Sequence, residues 1–84
     1  MKVYYFTFRS VTLAQRGEQL LNQSGVRAVM LRTPKWMESQ GCGYSLRIRT
    51  GDLLPVISLL REKGIGFRKI YVQNPDGTLE EVVT

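Results

Sequence analysis

A single cysteine, Cys42, is the residue of this chain best suited to covalent chemistry. It lies between Gly41 and Gly43. A thiolate is a strong nucleophile, and flanking glycines allow a backbone to approach a partner closely. The competing interpretation is that Cys42 is a small buried hydrophobe, which is the usual role of a free cysteine.

The rest of the composition excludes several kinds of catalytic site. The 84 residues contain no histidine, and the seven Asp and Glu residues show no metal-ligand spacing. The commonest general base and the commonest zinc ligand are therefore missing. We predict no metal site and no cofactor, and an accessory protein rather than an independent enzyme.

The chain is basic, but its charge is dispersed. Twelve Lys and Arg residues against seven acidic ones give a net charge of +5, without a run of five basic residues. Dispersed charge is typical of a solvated surface, and binding of an anionic partner is the alternative interpretation. No apolar run approaches the ~20 residues of a membrane helix, and no signal-peptide pattern opens the chain. We expect a cytoplasmic protein without membrane contact.

The elements around Cys42 follow from hydrophobic periodicity and from capping residues. Alternating or aromatic-rich segments predict strands at Lys2–Phe8, Val26–Arg32, Tyr44–Arg49 and Phe67–Val72. Helical spacing predicts helices at Val11–Ser24 and Leu53–Lys63. Gly17 lies inside the first helix, and we expect close packing of this helix on the sheet to explain it.

The order strand, helix, strand, strand, helix, strand predicts an α+β fold. The specific expectation is one ferredoxin-like domain over residues 1–84, a split βαβ sandwich with two helices on one face of an antiparallel sheet. Residues 74–84 form a turn followed by a short edge strand or a loose tail, and these two outcomes stay open.

The predicted topology brings the cysteine segment to the start of the first helix. A right-handed crossover makes the first two strands parallel, so the segment after Arg32 leaves the sheet where that helix begins. Ser10 and Arg9 lie there, and Lys35 is near in sequence. A helix N-terminus and nearby cations favour a thiolate. Trp36 and Met37, in the same segment, either cover the core or form a patch for a partner.

These residues match a pattern of a known family. The pattern combines a helix frame, a Thr-Pro-Lys step and a Cys-Gly step at a strand start, and its positions are Ser10, Ala14, Glu18, Leu20, Leu21, Gly25-Val26, Thr33-Pro34-Lys35 and Cys42-Gly43-Tyr44-Ser45-Leu46-Arg47. Over about residues 3–72 the chain resembles the selenium/sulfur carrier-like family. Members usually carry Arg where Lys35 stands, and lysine lacks the bidentate fork of arginine.

The resemblance implies that Cys42 holds a sulfur or selenium atom as a persulfide or selenopersulfide. Donor and acceptor proteins are then the expected partners. Arg9, Arg32 and Lys35 would hold the anionic terminal atom, and Ser10, Gly41 and Gly43 would support the site.

Two other functions compete with the carrier. One is an RNA-binding module of the RRM type, using Tyr5, Arg47, Arg49 and Tyr71 on the open sheet face. The third strand lacks the aromatic signature of such modules, so nucleic acid is the less favoured partner. The other is a small-molecule or oligomeric regulatory domain that pairs its open sheet face with a second copy of the chain and keeps Cys42 structural.

Overall fold

The computed structural model describes residues 2–33 and 43–82 of the chain. Its elements are β1 (Lys2–Phe8), α1 (Val11–Gln23), β2 (Arg27–Arg32), β3 (Tyr44–Thr50), α2 (Leu53–Glu62), β4 (Ile70–Gln73) and β5 (Leu79–Val82). The α+β class and the two helices are confirmed. None of the helices in these ranges is long and apolar enough to cross a membrane.

The sheet has the order β2-β3-β1-β4-β5, and every pair of neighbouring strands is antiparallel. Since β1 and β2 both pair with β3, they run in the same direction, as the crossover argument predicts. β1 is a central strand, with β3 on one side and β4 on the other.

The four-stranded ferredoxin-like order βαββαβ is not matched, because a fifth strand extends the sheet. A turn causes this difference. Gly77 has φ 89°, and the backbone N–H of Asn74 donates to the carbonyl of Thr78 at 2.7 Å. The chain reverses there, and Leu79 pairs with Gln73. Residues 79–82 therefore form an edge strand rather than a loose tail.

The hydrophobic core lies between the two helices and one face of the sheet. Its buried side chains come from every element except β5: Phe6, Phe8, Ala14, Leu21, Ala28, Leu46, Ile48, Val56, Ile57, Leu60, Ile65 and Ile70. A Cβ atom on Gly17 would lie 3.0 Å from Cδ1 of Leu46 and 3.6 Å from Cδ2 of Leu60. The expectation that Gly17 allows close packing is confirmed, because a Cβ there would be tightly packed against these side chains.

The fourth strand begins three residues later than the pattern predicts, because a bulge precedes it. The N–H of Arg68 donates to the carbonyl of Thr7, and the N–H of Thr7 donates to the carbonyl of Lys69. Arg68 and Lys69 thus both lie opposite Thr7, which is the hydrogen-bond pattern of a β-bulge. The extra residue allows Phe67 and Ile70, three positions apart, both to pack on the core. A regular strand would place them on opposite faces.

Side chains of α1 cover the free edge of β2. The N–H of Met30 donates to Oε2 of Glu18 at 2.8 Å. Asn22 donates to the carbonyl of Ala28 at 3.0 Å and accepts from its N–H at 3.1 Å. These bonds satisfy backbone groups that an edge strand would otherwise offer to another chain.

Candidate functional site

The segment 34–42 leaves and re-enters the described structure at one end of the sheet. Arg32 ends β2 and is opposite Tyr44, the first residue of β3, and Tyr44 is opposite Phe8 at the end of β1. The N–H of Thr33 donates to the carbonyl of Gly43 at 3.0 Å, and Gly43 is buried. We call this the carrier end of the sheet, after the role that the sequence resemblance predicts for Cys42.

The N-terminus of α1 lies at the carrier end, because the helix begins at Val11, three residues after Phe8. Ser10 has extended backbone angles (φ −131°, ψ 154°), and its hydroxyl oxygen accepts from the N–H of Leu13 at 3.2 Å. Ser10 is therefore the helix cap, as its residue type predicts. No acidic residue lies in the first turn of α1. The partial positive charge of this helix end is thus not neutralised within its own first turn.

Four cationic side chains share the carrier end. Arg9 and Arg32, both predicted, are exposed. Arg68 and Lys69 are exposed there as well, and with Arg9 they line a shallow depression of about 520 Å³ beside Leu13. Sequence reasoning missed Arg68 and Lys69 because it placed them inside the fourth strand. The sequence signal for Arg68 and Lys69 is their position directly before β4, which pairs antiparallel with β1.

A buried group of hydroxyls lies behind the carrier end, on the sheet face opposite the helices. Thr7, Thr33 and Ser45 are 2%, 6% and 0% exposed. The hydroxyl oxygens of Thr33 and Ser45 are 2.6 Å apart, and Thr7 Oγ1 accepts from the N–H of Lys69 at 3.0 Å. Ser45 thus lies on the sheet face away from the helices and is nevertheless buried. Its partner Thr33 explains how a polar side chain is buried there.

Several predicted site residues lie outside the described ranges. These are Lys35, Gly41 and Cys42, together with Trp36 and Met37. Their roles stay predictions. Of the predicted site, the structure places Arg9, Ser10, Arg32 and Gly43 at one end of the sheet.

A comparison with protein families identifies what the chain is similar to. A family model described as "Putative Se/S carrier protein-like" matches residues 3–72, which run from β1 into β4. A search of curated proteins gave no match, and a search of solved structures gave none either.

Proposed function

Because the chain belongs to the family of Se/S carrier protein-like sequences, we propose that Cys42 carries a sulfur or selenium atom between two partner proteins. The observation that carries this proposal is the position of Gly43, the residue after Cys42. Gly43 is buried at the carrier end, where α1 begins and where Arg9, Arg32 and Lys69 lie.

The proposed loading step is a transfer between thiols. The Cys42 thiolate attacks the outer sulfur of a persulfide on a donor protein. One S–S bond forms at Cys42, and the S–S bond of the donor breaks, so that the donor leaves as a thiolate. The charge and the number of electrons are conserved, so no separate oxidant or reductant is required. A selenopersulfide would react in the same way at selenium.

The electrostatics of the carrier end favour both states of such a carrier. A thiolate and a terminal persulfide sulfur are both anionic at neutral pH. Free N–H groups at a helix N-terminus and nearby cations stabilise anions. The four cations at this end of the sheet therefore support loading and holding of the cargo.

Unloading follows from the cysteine content. The 84 residues contain one cysteine, so no second thiol of these residues can attack the loaded persulfide. The acceptor must bring its own thiolate, which attacks the outer atom and releases Cys42 as a thiolate. The partners required are thus a persulfide or selenopersulfide donor and a thiol acceptor.

Intact-mass measurement tests this function. The chain is incubated with a persulfide-loaded cysteine desulfurase, or with selenide under mild oxidation, and then freed of small molecules. We expect a mass increase of one sulfur or one selenium atom, which a thiol reductant removes.

The matched control is Cys42→Ser, which keeps the size and polarity of the side chain and removes the thiol. It should show no increase with either donor. An adduct of equal yield on Cys42→Ser, or no adduct on the native chain with both donors, would refute the carrier function.

A further inference from the structure

The sheet face opposite the helices has an exposed region that the carrier chemistry does not use. Its side chains alternate with the core residues of their strands: Tyr5, Arg27, Val29, Arg47, Arg49 and Tyr71. We call this region the arginine face. The three arginines and Val29 are exposed, and the two tyrosines are half-buried. The buried hydroxyl side chains of Thr7, Thr33 and Ser45 separate the arginine face from the carrier end.

One row of the arginine face crosses four strands. Val29 is opposite Arg47, Arg47 is opposite Tyr5, and Tyr5 is opposite Tyr71. Adjacent strands are about 4.8 Å apart, so directly opposite residues of this row are neighbours. The row therefore places an arginine beside two tyrosines at opposite positions of β1 and β4.

The arginines of this face lie close together. Arg27 is directly opposite Arg49, and Arg47 lies two residues before Arg49 on the same face. Within residues 2–33 and 43–82, no carboxylate forms an ion pair with Arg27, Arg47 or Arg49. Like charges directly opposite on neighbouring strands destabilise the pairing. A bound polyanion would remove that cost.

The adjacent rings decide between the polyanions. Single-stranded nucleic acid stacks its bases on aromatic side chains and places its phosphates against cations. An acidic protein surface would satisfy the arginines without needing two aromatic side chains at opposite positions. A second copy of this chain would bring arginines against arginines. The third strand contributes no aromatic residue to this face, but β4 supplies Tyr71 next to Tyr5.

We propose that the arginine face binds single-stranded nucleic acid, with bases on Tyr5 and Tyr71 and phosphates at Arg27, Arg47 and Arg49. This site is separate from the carrier end and does not depend on Cys42. The pairing of β1 with β4 places Tyr5 and Tyr71 directly opposite each other on this face.

Binding of a labelled single-stranded RNA of about ten nucleotides, within the usual site size of such surfaces, tests the proposal. Fluorescence anisotropy is measured over a series of salt concentrations. Three phosphate contacts predict that log K falls against log salt with a slope of about −2. The double variant R47A/R49A should bind at least about tenfold more weakly and reduce the slope to about −0.7.

The matched control for charge is R16A/K63A, which removes two exposed cations from the helix side of the molecule. It should bind within about twofold of the native chain at each salt concentration. Equal weakening by the two double variants would show that only net charge matters, and this would overturn the proposal.

The role of the rings is tested separately. Tyr5→Phe keeps the ring and should retain binding, whereas Tyr5→Leu should weaken it about fivefold or more. Circular dichroism establishes that each variant is folded, and Tyr71→Leu replaces Tyr5→Leu if that variant unfolds. Polyglutamate of the same charge as the RNA is the competing probe. Equally tight binding of polyglutamate, with no effect of the leucine variants, would assign the face to an acidic protein instead.

Discussion

Single residues in this protein have roles that depend on their immediate neighbours. Gly17 is an example, because the sequence alone predicts that it allows close packing of α1 on the sheet. A glycine inside a helix costs up to about 1 kcal/mol relative to alanine, so its presence indicated close packing. In the structure, a Cβ atom built on Gly17 would lie 3.0 Å from Cδ1 of Leu46. Leu46 is fully buried, so a side chain at position 17 would displace a core residue.

Asp76 shows a comparable local effect in its ionisation. The hydroxyl of Thr78 donates to Oδ1 of Asp76 at 2.7 Å, and the N–H of Thr78 donates to the same oxygen at 3.0 Å. These bonds, the hydroxyl bond first, lower the pKa of Asp76 below its ordinary value. A lowered folded-state pKa stabilises the fold above the unfolded-state pKa, and this contribution is lost as the pH falls through the folded-state pKa.

The first prediction concerns this turn. Thr78→Val removes the hydroxyl donor and should raise the pKa of Asp76 towards its ordinary value, with part of the shift retained because the backbone N–H remains. NMR titration of the Asp76 carboxyl carbon through the acid range measures it. Thr12→Val, an exposed threonine on α1, is the control and should leave the pKa of Asp76 unchanged. An unaltered Asp76 titration in Thr78→Val would contradict the assignment.

At the scale of elements, α1 both packs on the sheet and closes one of its edges. Its apolar face contributes to the core through Ala14 and Leu21. Its polar side chains Glu18 and Asn22, one turn apart, bond the backbone of β2. The helix thus limits the pairing of this edge strand with other chains.

The second prediction is that Asn22→Ala destabilises the fold by about 1–2 kcal/mol, because two hydrogen bonds to Ala28 are lost. The higher helix propensity of alanine offsets a part of this, up to about 0.7 kcal/mol. Urea denaturation measures the change. Gln23→Ala, its exposed neighbour on α1, should stay within about 0.5 kcal/mol of the native chain. Equal stability of the two variants would mean that the edge contact contributes nothing.

At the scale of the whole molecule, the two ends of the sheet carry different sets of charged groups. The carrier end combines the N-terminus of α1 with Arg9, Arg32, Arg68 and Lys69. The arginine face extends towards the other end, with Arg49 about 16 Å along β3 from Tyr44. That distance exceeds the screening length of about 8 Å at physiological salt. The charges of the far end should therefore affect chemistry at the carrier end only weakly.

The third prediction uses this separation to test the setting proposed for Cys42. Its alkylation by iodoacetamide is followed against pH in the native chain. Reactivity should develop at a lower pH than for an ordinary thiol, whose pKa is about 8.5. The variant R9A/K69A should move the midpoint upward by about half a pH unit.

The control for this prediction is R27A/R49A, which has the same change in net charge at the far end and should leave the midpoint unchanged. Two results would count against the carrier end as the setting of Cys42. One is a thiol that reacts only after denaturation, and the other is an equal shift in both double variants.

Much of the fold could be predicted from the sequence, because its helices and first three strands have local causes. Ser10 and Gly25 mark the ends of α1 by residue type, and Gly25 adopts φ 84° as a helix-terminating glycine should. Alternation along Tyr44–Arg49 identified β3. The start of β4 was mistaken because a bulge depends on the partner strand, and alternation within one segment does not reveal it.

The sequence by itself determined the family, the capped helices and the choice of Cys42 as the reactive candidate. These depend on residue types and short spacings. Only the tertiary structure decided that Arg68 and Lys69 join Arg9 at the carrier end, that Ser45 is buried against Thr33, and that Tyr71 lies beside Tyr5. The physical reason is strand pairing. It brings together residues that are far apart in the sequence, such as Tyr5 and Tyr71, and no local pattern of one chain specifies its register.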